Sequence, residues 1–141
     1  MMVLRRAASM MLALAASACA APPPDAARLQ GAWRAVAAER SGAPAPELVG
    51  HELILSGQRF RITDAGRLLY GGSYTIDPGA RPARIDFQQT EGAALRGTWR
   101  GICRVADAGR EIVDNAPDRA RPRPTEFAAG PGQVPLRFEP R

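Results

Sequence analysis

The chain has 141 residues, enough for one domain and an N-terminal appendage; its 14 glycines and 13 prolines favour turn-rich strands over a helical bundle. All 19 basic residues are arginine, and of the formal charge of +5, Arg5 and Arg6 contribute two, leaving +3 on the rest. Those arginines alternate with Asp and Glu instead of running together, and no RNA-binding aromatic motif or recognition helix is present, so nucleic acid is excluded as a partner.

The first segment, MMVLRR, is a positively charged n-region, and residues 7–16 supply an apolar h-region. That stretch is too short to span a bilayer, which needs roughly 20 apolar residues. Residues 1–18 therefore read as a signal peptide, and the rest of the chain is expected outside the cytoplasm, in a periplasm or cell envelope. Its end, Ala16-Ser17-Ala18-Cys19, permits two readings. One is cleavage after Ala18 at an A-x-A site. The other resembles a bacterial lipoprotein signal in which Cys19 becomes the lipidated first residue and a membrane anchor, although Ala16 stands where leucine is usual. A cysteine at the end of the h-region, followed by AAPPPDAA as an extended tether over residues 19–28, favours lipidation.

The domain, residues 29–141, opens with LQGAWRAVAAER. Read with period 2, Leu29, Gly31, Trp33, Ala35 and Ala37 share a face; a helix through the alanines is the rival reading. Gly31 is expected to leave room for a close crossing. Ser41-Gly42 turns the chain, and residues 44–50 form one helical turn with Pro46 at its start. Residues 51–56 put Leu53 and Leu55 on one face, and residues 59–63 put Phe60 and Ile62 inward. Asp64-Ala65-Gly66 reads as a three-residue hairpin loop. Residues 67–77 are long, with Leu68, Tyr70, Tyr74 and Ile76 on one face and a bend or bulge at Gly71-Gly72. Residues 83–90 carry Ile85 and Phe87 inward. In residues 95–105, Leu95, Trp99, Cys103 and Val105 share a face, which makes Cys103 a small buried hydrophobe. A weaker strand at 111–115, an irregular Arg/Pro-rich loop at 116–124, a brief pairing at 125–127 and a last strand at 134–138 complete the chain. The expected fold is all-β: an antiparallel meander of seven or eight strands closed into a small barrel. Its large inward residues predict a mostly filled interior with a shallow mouth.

The opening LQGAWRAVAAER, the ELVG turn, YGGSYTID and the late PRPTEF stretch (residues 122–127) occur in an order that resembles the small lipocalin-like domain of unknown function abundant in planctomycete proteomes. The resemblance covers roughly residues 29–141. It departs at Ala32, where threonine is common, and over residues 106–115, where a tidier hairpin is usual. It implies a lipocalin-like β-barrel in exported or membrane-associated proteins, with no established substrate and no catalytic residues to carry over. The Gly31-x-Trp33 pair also resembles the lipocalin signature in which an indole plugs one barrel end beneath an arginine, here Arg137 or Arg141.

Chemistry-bearing motifs are sparse. His51 is the single histidine and reads as a surface or strand-edge residue. Ser41, Ser56 and Ser73 lie in no G-x-S-x-G elbow. Asp114, Asn115 and Asp118 lack EF-hand spacing and suit turn chemistry. No catalytic residue, metal site or cofactor is expected. Two non-enzymatic classes remain. One is a binding module that holds a small apolar ligand or peptide at a mouth lined by Trp33, Tyr70, Tyr74 and Trp99. The other is a filled barrel that contacts another envelope component through a sheet edge and the loop bearing Arg119, Arg121 and Arg123.

Overall fold

The computed structural model describes residues 24–92, 96–106 and 108–141; the signal segment, Cys19 and Leu95 lie outside the described residues. A short helix α1 (Pro24–Leu29) precedes nine strands: β1 (Gly31–Arg40), β2 (Ala43–Pro44), β3 (Glu52–Ser56), β4 (Arg59–Asp64), β5 (Arg67–Asp77), β6 (Ala83–Gly92), β7 (Gly97–Ala106), β8 (Gly109–Asp114) and β9 (Val134–Pro140). A 3-10 turn at Pro46–Leu48 leads into β3. From β3 to β9 each strand pairs antiparallel with the next, β1 pairs with β3, and β9 returns to β1. Eight strands thus close an antiparallel barrel, and β2 adds a two-residue flap on β1.

Alternation explains most of this. Trp33 and Ala35, Leu53 and Leu55, Phe60, Tyr74, Ile85 and Phe87, Trp99 and Cys103, Ile112 and Phe138 all point inward and form one core. Only a closed sheet buries so many single-faced strands without a leftover edge. At the centre, Phe60 meets Phe87 and Trp99 edge-on at 5.0 and 5.6 Å, while Phe87 and Trp99 stack at 5.3 Å.

Several expectations are corrected. The last part of the expected extended tether is α1, and Leu29 packs into the core from that helix rather than from the first strand. Ala37 is exposed because a register shift between Ala35 and Ala37 reverses the alternation. A shift between Ile62 and Thr63 likewise leaves Leu68 37% exposed and buries Thr63. The turn after β4 has two residues, since Asp64 pairs with Arg67, and Ala65 and Gly66 both adopt positive φ. Residues 125–127 form no strand. Gly31 is required for its backbone, with φ +127°, rather than for space, since a Cβ there would meet nothing nearer than 4.0 Å. Space is the issue at Gly72, where the β5–β6 bulge brings Gln88 O within 1.9 Å of where a Cβ would sit.

The Arg/Pro-rich loop lies along the barrel wall. Arg123 donates to Asp86 Oδ1 at 2.6 Å and to Gly101 O at 2.8 Å, Asn115 Nδ2 donates to Arg121 O, and Arg104 stacks over Phe127 at 4.1 Å. Pro124 is fully buried. This cover accounts for the burial of Ile102 and Val113, which belong to β7 and β8 but not to the barrel core.

Candidate functional site

The two barrel ends differ, and the difference begins with α1. A helix ends with carbonyls that have no intrahelical partner. Here Trp33 Nε1 donates to Leu29 O at 2.8 Å, and Arg110 Nε and Nη2 donate to Arg28 O at 2.9 and 2.7 Å. The Arg110 guanidinium also stacks over the Trp33 indole at 4.2 Å. Arg110 is therefore the arginine over the plugging indole. Arg137 alternates outward between Leu136 and Phe138, and Arg141, beyond β9, pairs with Glu52. Beside this plug, Tyr74 donates its hydroxyl to Gly57 O at 2.8 Å and accepts from Gln30. Burial raises the Tyr74 hydroxyl above its ordinary pKa, and the Gln30 hydrogen bond draws it partly back. This end is closed.

The other end holds a cavity of about 360 Å³. Its wall is built from Ala35 of β1, Leu53 of β3, Ile62 of β4, Tyr70 of β5, Trp99 of β7 and Leu136 and Phe138 of β9, with Leu48, Ala116 and Pro117 at the rim. Arg40, His51, Glu52 and Asp114 supply the polar groups. An apolar pocket with a few convergent polar groups is the usual form of a small-molecule site. The interior is thus packed at the plugged end and hollow at the other.

Of the four aromatic residues expected at the mouth, Tyr70 and Trp99 line the cavity; Trp33 and Tyr74 belong to the opposite end. Of the three loop arginines, Arg123 is held by Asp86, and Arg121 is exposed and pairs with Asp118 at 3.1 Å. Arg119 turns toward the mouth, donating Nη1 to Arg96 O at 2.8 Å and lying over Trp99 at 5.1 Å. His51, read as a surface residue, lines the cavity because it shares parity with Leu53 and Leu55.

Sequence reasoning missed Asp114. The carboxyl does serve a turn, since Oδ1 accepts the Ala116 N–H at 2.9 Å. Yet β8 alternates, and Arg110, Ile112 and Asp114 all face inward, which puts the guanidinium at the plug and the carboxyl at the mouth. The available signal was the spacing of Asp114 from Ile112. Asp114 is 6% exposed and takes part in none of the ion pairs among the described residues. Burial pushes its pKa up to about 6, with the Ala116 N–H and the Arg119 charge pulling in the other direction.

Two other hollows are larger in volume than the mouth cavity. A groove of about 510 Å³ between α1 and the ends of β6 and β7 is lined by Arg28, Arg81, Cys103 and Arg104. Another, on the outer wall, runs past Val49, Val113 and Phe127. No protein-family model, curated protein or solved structure matches the chain.

Proposed function

We propose that this chain is an extracytoplasmic, lipid-anchored, lipocalin-like barrel that binds one small apolar ligand in the cavity between Trp99 and Phe138. The observation that carries this reading is the asymmetry of the interior. One end is closed by Trp33, Arg110 and Leu29, and the other is left as an apolar hollow with Asp114 and His51 in its wall. Packing alone favours a filled barrel, because unfilled apolar volume costs stability in proportion to its size. A volume of about 360 Å³ suits a single small molecule better than a peptide. A role through contact with an envelope partner has less support, because Arg119 and Arg123 are engaged within the chain.

Cys19 stands five residues before Pro24, and five extended residues span at most roughly 17 Å.

Native mass spectrometry of the protein purified from its own envelope tests the binding reading. The expected result is a small-molecule adduct that is lost in Val134→Trp, which fills the mouth. An adduct-free protein with no extractable small molecule contradicts it.

A further inference from the structure

The cavity is apolar along most of its wall, and a ligand held by such a wall alone needs no carboxylate. Asp114 is nonetheless there, nine-tenths buried and facing inward from β8. Among the described residues Glu47, Glu52, Asp86, Glu91, Glu111 and Asp118 have guanidinium partners, and the other carboxylates outside these pairs, Glu39, Asp64, Asp77, Glu126 and Glu139, are exposed to solvent, whereas Asp114 is buried. With 19 arginines available, an ion-pair partner for Asp114 was within easy reach of the sequence, yet none of the ion pairs among the described residues includes it.

We propose that the ligand carries a protonated amine that sits against the Asp114 carboxylate, with its apolar body along Leu53, Ile62, Trp99 and Phe138. The inference rests on the binding reading above and names its ligand class. The charged groups around the cavity agree with it. Arg40 is taken by Glu47, and Glu52 by Arg34 and Arg141. Arg119 acts on Asp114 electrostatically from the loop, but its guanidinium donates to Arg96 O and lies over Trp99. His51 and the Tyr70 hydroxyl complete the polar set. A buried carboxylate that belongs to none of the ion pairs among the described residues favours a cationic donor and disfavours a second carboxylate in the same space. Trp99 and Tyr70 add aromatic surface that a cation also favours.

The test is calorimetric titration of the intact protein at about pH 8 with octylamine, octanol and octanoate, which share a chain length and differ in head group. Octylamine is expected to bind at least about tenfold more tightly than octanol, and octanoate more weakly than either. Asp114→Asn keeps the side-chain shape and an acceptor for the Ala116 N–H; it is expected to abolish the advantage of the amine over octanol. Octanol or octanoate binding as tightly as the amine overturns the amine assignment while leaving the binding reading intact. So does an amine preference that survives Asp114→Asn. If none of the three binds, the binding reading fails together with the inference.

Discussion

At the scale of single residues, three inward side chains of different chemistry divide the barrel: Trp33 and Arg110 close one end and Asp114 marks the other. Trp33 provides most of the burial of its strand, flanked by Gly31 and Ala35, so Trp33→Ala is expected to cost about 3–5 kcal/mol. Arg34, next to it on the outer face, makes an exposed pair with Glu52, and Arg34→Ala is expected to cost less than about 0.5 kcal/mol. Urea unfolding of the two variants makes the comparison, and equal losses contradict the strand assignment. Arg110→Ala removes two hydrogen bonds to the α1 carbonyl and the stacking on Trp33, and is expected to lose about 2–4 kcal/mol. Asp114 works in the opposite sense. Its pKa in the folded protein is about 6 against an ordinary 3.8, so between those values the native state holds more protons than the unfolded chain. The stability it contributes is fully present below about pH 4 and is lost as pH rises through about 6, a ceiling of about 3 kcal/mol. Asp114→Asn is therefore expected to raise the urea midpoint at pH 8 and to match the wild type near pH 4. Arg119, Arg40, His51, Glu52 and Tyr70 surround the site in both proteins. A lower midpoint for the variant at pH 8 contradicts this account.

At the scale of elements, period-2 patterning made most strands legible, because each strand buries one face and the sheet closes. What it could not show were the places where one extra residue resets the period. The shifts at Ala35/Ala37 and Ile62/Thr63 expose Ala37 and Leu68, and no local residue type announces them. At Gly71-Gly72 the glycines did announce the bulge, and Gly72→Ala is expected to destabilise the domain by several times the ordinary glycine-to-alanine effect of about 1 kcal/mol. The site was half legible. Tyr70 and Trp99 followed from strand parity, but Asp114 was hidden by its turn-forming role beside Asn115. Arg110 was hidden too, because an arginine facing into a barrel becomes reasonable only once the α1 carbonyls and the Trp33 face are seen beside it. The loop after β8 carries no periodicity at all; its position depends on Arg123 reaching Asp86 and Gly101 and on Pro124 beneath the chain.

For the whole molecule, the barrel has a plug at one end and a mouth at the other. Cys19→Ala is expected to move the protein from membranes to the soluble extracytoplasmic fraction, and an unchanged fractionation profile with no acyl mass contradicts the anchor. The central claim, that the mouth and not the plugged end takes an apolar ligand, has a direct optical test because Trp99 lines the cavity and Trp33 lies under α1 instead. Bromine quenches indole fluorescence only near contact, so a bromine-terminated alkyl alcohol can be titrated into two single-tryptophan variants. With Trp33→Phe, where Trp99 reports, quenching is expected to be saturable; with Trp99→Phe, where Trp33 reports, emission is expected to stay unquenched over the same range. Saturable quenching of Trp33, or none of Trp99, contradicts the claim.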